Sequence, residues 1–122
     1  MKNSNPAPGR QFYDEQIALL QAAKTDELID RHYHDDAVLV SFDGVIRGRS
    51  ALKKFIREYR ANLGDFEVIS LDRFVETEGA IFFEATVRTK WGDARVYDAF
   101  ALHDGKATHH FAGKITANPK SS

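Results

Sequence analysis

The side chains able to do chemistry in this sequence are carboxylates, histidines and tyrosines, because its 122 residues include no cysteine. That removes thiolate nucleophiles, disulfides and cysteine-ligated metals together. The best placed of the remaining groups is Asp98. In RVYDAFAL, residues 95–102, alternate positions of a strand share a face, so Val96, Asp98, Phe100 and Leu102 lie together. An apolar set of that kind points inward, and an unpartnered carboxylate buried within it costs several kcal/mol. Asp98 therefore finds donors or takes up a proton. Two readings stand side by side: a structural aspartate bonded to a Tyr or His neighbour, and an acid that faces a ligand.

His109 and His110 adjoin on a later strand, so one looks inward and the other out. The phase counted from the preceding turn places Thr108, His110 and Ala112 inside; the opposite phase, with His109 and Phe111 inside, stays open. A histidine beside an acid transfers protons near neutral pH, which makes His110 a candidate base. Tyr59 shares the inward stripe of a helix with Phe55 and Ile56. Its hydroxyl is either the polar tip of a core aromatic or a bond to Asp98 or a ligand. Asp35 and Asp36 read as structural, short carboxylates between helix and strand that bind exposed backbone N–H groups. His32 and His34 share no helix face, so no metal pair is expected and a solvated helix end accounts for both. A phosphate-cradling loop, an HExxH helix and a serine elbow are all missing.

Elements of ordinary kind must position these groups. The apolar share of 43%, charged share of 29% and net charge of −1 describe a single globular domain that buries about two-thirds of its unfolded surface. Basic residues are interspersed with acidic ones, so no nucleic-acid partner is expected. Apolar runs fall far short of the roughly 18 residues that span a bilayer. The start, MKNSNPAPGR, has no apolar core behind its lysine and does not read as a secretory signal, so a cytoplasmic location is expected. Residues 1–11 and 117–122 read as disordered ends, with one domain over 12–116.

Helical spacing of Phe12, Ile17, Leu19, Leu20 and Ala23 gives a first helix, and Asp26 starts a second that carries Leu28, Ile29 and Tyr33. DDAVLVSF is a strand, and Asp43-Gly44 turns it into a hairpin. A third helix follows Arg49, with Ser50 as its cap, Leu52, Phe55, Ile56, Tyr59 and Leu63 as its stripe, and Gly64 as its stop. FEVISLDRFVE, AIFFEATVRTKW, ARVYDAFAL and KATHHFAGKI then read as four strands separated by Gly-containing turns. Helices followed by an antiparallel meander indicate an α+β fold with the helices on one sheet face. In AIFFEATVRTKW the apolar alternation turns Ile81, Phe83, Ala85, Val87, Thr89 and Trp91 inward.

The element order and the phrase YHDDAVLVSFDGVIRGRSALKKFI, residues 33–56, resemble the nuclear transport factor 2-like superfamily, which includes ketosteroid isomerases and SnoaL-like polyketide cyclases. Its pattern of an aromatic residue, Asp-Asp-Ala, a strand, a turn and a glycine before a helix is met by Tyr33, Asp35-Asp36-Ala37, Val38 to Phe42, Asp43-Gly44 and Gly48. Asp104-Gly105-Lys106 resembles the last hairpin turn, and the resemblance covers about Tyr13 to Ile115. It implies a cone-shaped barrel, a strongly curved antiparallel sheet wrapped round three N-terminal helices, with an apolar pocket and no cofactor. These motifs are specific for the fold and nearly silent about chemistry. By the resemblance, Asp98 falls where the isomerases keep a protonated aspartic acid that donates to a developing oxyanion. The rest of that machinery departs from the pattern. The isomerase base falls on Ser41, its partner tyrosine near Ile17 or Ala18, and the cyclase aspartate on Ala112, so steroid isomerisation by the family mechanism is not expected.

Two classes of function follow. In the first, a cofactor-free isomerase, cyclase or dehydratase acts on a small hydrophobic compound, with Asp98 as acid or oxyanion donor, His110 as base and Tyr59 as orienting hydroxyl. Its pocket would be lined by Leu39, Ser41, Phe55, Phe83, Ala85, Val87, Trp91, Val96, Phe100, Thr108 and Ala112. In the second, the same cone holds a ligand without turnover, or the outer sheet binds a protein and Phe83, Trp91 and Phe100 close the interior. Family habit also implies a homodimer through the outer sheet face, at Phe82, Arg88, Lys90, Arg95 and Tyr97.

Overall fold

The computed structural model describes residues 8–119 as three helices and one six-stranded sheet. Helix α1 runs Pro8–Gln21 and α2 Thr25–His32; β1, Tyr33–Ser41, and β2, Gly44–Arg47, form a hairpin before α3, Arg49–Leu63. The remaining strands are β3, Glu67–Thr77, β4, Ala80–Thr89, β5, Gly92–His103, and β6, Lys106–Pro119. The ends expected to be disordered, 1–11 and 117–122, lie partly outside the described residues. Where they are described they are regular: α1 begins at Pro8 and β6 reaches Pro119. Proline suits the first turn of a helix, where its missing N–H has no intrahelical partner anyway. Beside it, the Gly9 N–H donates to the Glu76 carboxylate at 2.9 Å. A Cβ on Gly9 would come within 2.5 Å of Ile81 Cγ2, so the absent side chain lets α1 press onto the sheet.

Strand order is β2-β1-β6-β5-β4-β3. The meander from β3 to β6 is antiparallel, as expected, and so is the β1–β2 hairpin. β1 and β6 run parallel, so the sheet is mixed; with β2 and β3 at its edges it stays open. The intervening α3 and four strands, β2 to β5, are a connection long enough to return the chain in the same direction. Register shifts interrupt the β1–β6, β3–β4 and β5–β6 ladders. Each such irregularity bends its strand and adds twist, which curls the sheet around the helices.

Ile81, Phe83, Ala85, Val87 and Thr89 are buried on the inner face of β4 and alternate with more exposed residues, as the sequence pattern predicts. α1 fills the curl: Phe12 meets Phe100 edge-on at 5.0 Å and Tyr13 meets Phe83 at 4.7 Å. Leu28 and Ile29 of α2 and Leu52 and Ile56 of α3 complete the core. Truncating a leucine as buried as Leu28 to alanine costs about 2–5 kcal/mol. The cap of α3 is Gly48, with φ 90°, rather than Ser50, and Gly64, with φ 69°, ends the helix as expected. Among the described residues no helix is long and apolar enough to cross a membrane.

Candidate functional site

Strand register decides which polar groups meet. Opposed residues of neighbouring strands share a face, so Phe83, Asp98, Ala112 and Ser41 form one row across β4, β5, β6 and β1. The adjacent inner row is Ile81, Phe100, His110 and Leu39. His110 is therefore the inward histidine. Its ring stacks on Phe100 at 4.0 Å, and its Nε2 lies 2.6 Å from Asp98 Oδ1. His109 is outside, stacked with Phe111 at 6.2 Å. The structure thus joins the acid and the histidine that the sequence singled out separately.

Behind this pair stand groups that sequence reasoning missed as site residues. The Tyr33 hydroxyl is 2.8 Å from His110 Nδ1, and Gln16 Nε2 donates to the same hydroxyl at 3.4 Å. His32 Nδ1 donates to Gln16 Oε1 at 2.7 Å, while its Nε2 lies 3.2 Å from Glu15 Oε1. His32 is 3% exposed, not the solvated helix end expected, because its ring packs on Phe12 at 4.4 Å. Burial holds its pKa below the ordinary histidine value, against the hydrogen bond and charge of Glu15. Burial likewise holds the Tyr33 hydroxyl far above the ordinary phenol range.

In front of the pair, hydrogen-bonding capacity is left over. Asp98 Oδ2 makes no hydrogen bond among the described residues, and it is not sealed from solvent: the side chain is 22% exposed. Tyr13 and Tyr59 donate no hydrogen bond among the described residues either, and both hydroxyls feel the Asp98 charge. Burial raises both, with Arg10 opposing it at Tyr13 and Asp98 adding to it at each. Tyr59 is 43% exposed as a residue. Its ring stacks on Phe55 at 5.9 Å. α1 carries no tyrosine at Ile17 or Ala18, but it has Tyr13 one turn earlier.

Other expected lining residues divide. Leu39, Phe83, Ala85, Val87 and Phe100 are buried core, while Ser41, Phe55, Val96 and Ala112 are half-buried. Two expectations fail. Trp91 is 59% exposed in the β4–β5 turn, where its indole donates to the Asn62 carbonyl at 2.8 Å and ties the turn to α3. Thr108 sits at the β5–β6 irregularity and donates to the Ala101 carbonyl; the shift turns Ala107 inward instead. Asp35 and Asp36 are exposed within β1, and the partner of Asp35 is the Arg49 guanidinium at 2.9 Å, not a backbone N–H.

Two open concavities, of about 500 and 440 Å³, lie on the outside around Arg49, lined by Asp35, Arg47, Ser50 and by His34, Asp104, Lys106 respectively. Neither includes Asp98. Among the described residues no three His, Asp or Glu side chains converge as a metal-binding set.

Comparison with known proteins fits this geometry. The family model of a SnoaL-like domain matches residues 10–110. No curated protein matches the chain in sequence. An NTF2-like protein from Anabaena variabilis superposes with a TM-score of 0.80 at 17% identity, over 92% of this chain and 90% of its own. TerC, co-crystallised with polyporic acid, gives 0.73 at 17% identity over 90% and 92%. A de novo designed protein with a curved β-sheet gives 0.73 at 16% identity over 94% and 88%. At such identities the likeness is one of fold.

Proposed function

The chain belongs to the SnoaL-like domain family of the nuclear transport factor 2-like superfamily, and on that premise we propose that it is a cofactor-independent enzyme of proton transfer. It binds a small, largely apolar molecule at the open end of the cone. One observation carries this reading: among the described residues Asp98 is held at Oδ1 and open at Oδ2, with two unbonded tyrosine hydroxyls in its field. Oδ2 takes a proton from a carbon beside a carbonyl, the C–H pair moves into an enolate, and Tyr13 or Tyr59 donates to the oxyanion. Returning the proton to another carbon isomerises the substrate. Delivering it to a departing hydroxyl dehydrates it, and attack of the enolate on a second carbonyl closes a ring. Phe55, Phe83 and Val96 give the apolar remainder a dry surround. His110 has both ring nitrogens bonded and a side chain only 7% exposed, so the part of base falls to Asp98. The polyporic acid bound by TerC supports a small-molecule occupant for this fold.

A thermal-shift panel of steroids, phenols and aromatic polyketides, on wild type and Asp98→Ala, tests the site. A ligand at 100 times its Kd adds about 2.7 kcal/mol, a rise on the order of 10 °C for a chain of this size. Expected is a shift in wild type that the variant loses, then turnover that Asp98→Asn abolishes with the fold intact. Turnover retained by Asp98→Asn removes Asp98 from the mechanism. Binding with no turnover makes the cone a binding module. For the outer sheet face we propose a second copy of the chain as partner, because a row of apolar residues crosses all six strands there.

A further inference from the structure

An unbroken chain of side-chain hydrogen bonds leaves Asp98 and crosses the core, through His110, Tyr33 and Gln16 to His32. Its four inner members are buried, and apart from the His32 Nε2 contact with Glu15 each side chain bonds only to its neighbours among the described residues. The direction of the chain is set at Gln16, whose amide oxygen faces His32 and whose amide nitrogen faces Tyr33. The oxygen carries no hydrogen, so His32 Nδ1 donates to it; the nitrogen accepts nothing, so it donates to Tyr33. Having received that bond, the Tyr33 oxygen has its own hydrogen left, and its other neighbour is His110 Nδ1 at 2.8 Å. A ring nitrogen that accepts this hydrogen bears none. The hydrogen of the neutral imidazole then sits on Nε2, which donates to Asp98 Oδ1 at 2.6 Å. All four bonds point toward Asp98, and each polarises the next. The reverse direction needs the Gln16 amide turned over and a proton on Asp98.

We propose that Tyr33, oriented by Gln16, is the positioning residue of the site: it fixes His110 as the Nε2–H tautomer, which holds Asp98 as a proton acceptor with its free oxygen toward the open end. This rests on the reading of Asp98 as the group that takes the substrate proton, yet the tautomer is measurable with no substrate at all. Burial keeps the hydrogen on the Tyr33 oxygen throughout the neutral range, so its role as donor does not lapse there.

The experiment is ¹H–¹⁵N correlation of the imidazole rings in the full chain at neutral pH, in wild type, Tyr33→Phe and Gln16→Met, with His110→Gln to assign the signals. Expected in wild type is one neutral His110 tautomer with its hydrogen on Nε2. Tyr33→Phe leaves Nδ1 without a donor and yields a mixture of tautomers, and Gln16→Met yields a smaller admixture. With a substrate from the panel, Tyr33→Phe lowers kcat by about 10- to 100-fold at nearly constant KM. A wild-type His110 with its hydrogen on Nδ1 overturns the proposal and makes Asp98 the donor. An unchanged Nε2–H tautomer in the folded variants overturns it too. Tautomers as expected alongside turnover by Asp98→Asn would sink the role of Asp98 and leave the positioning by Tyr33 standing. If Tyr33→Phe does not fold, wild type and Gln16→Met decide.

Discussion

His32 sits where water does not reach its ring, and burial lowers its proton affinity; the charges of Arg31 and Lys106 act in the same direction and Glu15 against it. The unfolded chain therefore takes up a proton at about pH 6.5 that the native state accepts only at lower pH. Stability rises with pH through that window and is lost as pH falls below it, because the unfolded state binds more protons. Urea unfolding followed from about pH 5 to 7.5 should show this limb, at no more than about 1.4 kcal/mol per pH unit, and His32→Gln should flatten it. An unflattened limb would assign it to other groups. At the alkaline end the sign reverses. Tyr13, Tyr33 and Tyr59 hold their protons above the usual pKa of 10.0, chiefly through burial, so stability should fall as pH rises past that value. Absorbance titration should show these phenols ionising late in the native protein and together with the rest in urea. The same signal that exposed Asp98 in the sequence, a polar residue inside an apolar face, was present at Gln16 between Phe12 and Leu19. It carried less meaning on a helix, since the partners that satisfy Gln16 come from α2 and β1. Tyr33 was legible only as part of a fold motif; its role depends on His110, 77 residues away.

At the scale of elements, the alternation of β4 and β5 could be read because their ladder runs without a register shift. β6 could be read only in part: its shift against β5 between Ala101 and Leu102 breaks a count made from the turn, so Ala107 and His110 are buried and Thr108 is not. The parallel pairing of β1 with β6 was illegible for another reason, since no local pattern distinguishes the direction of a distant partner. α1 is the element on which the site depends most, for it supplies Tyr13 and Gln16, and its first turn is fixed by contact with β3 and β4 at Gly9. Gly9→Ala should therefore act on the site from its far end. The added methyl meets Ile81 Cγ2 and the Glu76 carboxyl, and overpacking of that kind costs about 1–3 kcal/mol. Expected is a lower Tm together with weaker binding of whichever ligand the panel finds, as α1 tilts from the sheet. Glu76→Gln, which keeps the acceptor and removes the charge, should do much less. A Gly9→Ala protein with unchanged Tm would show that this end of α1 gives way freely.

The molecule as a whole has two faces of different character. The inner face is filled by helices, whereas the outer face carries one apolar row from edge to edge: Val75, Phe82, Ala99, Phe111, Val40 and Val45, one residue from each strand. Val75 is 50%, Phe111 41% and Val45 64% exposed, which is unusual for residues in register on one sheet. The flanking row adds Arg73, Glu84 and Tyr97, and Arg95 bonds Glu84 at 2.7 Å, so both signs of charge border the apolar stripe. A patch with both signs is self-complementary under a two-fold axis, where the arginines of one copy meet the acids of the other. Lys90, expected on this surface, lies in the β4–β5 turn over the Trp91 ring and takes no part. Tyr97 covers Gly113 so closely that a Cβ there would come within 2.4 Å of its ring, which keeps the middle of the face flat enough to stack. Light scattering after size exclusion should give twice the chain mass for wild type and the single mass for Phe111→Lys, with circular dichroism unchanged. Because the row lies on the opposite side of the sheet from Asp98, Phe111→Lys should leave the ligand-induced thermal shift intact. A wild-type protein that runs as a monomer at high concentration would leave this face to a different partner and remove the second copy from the account.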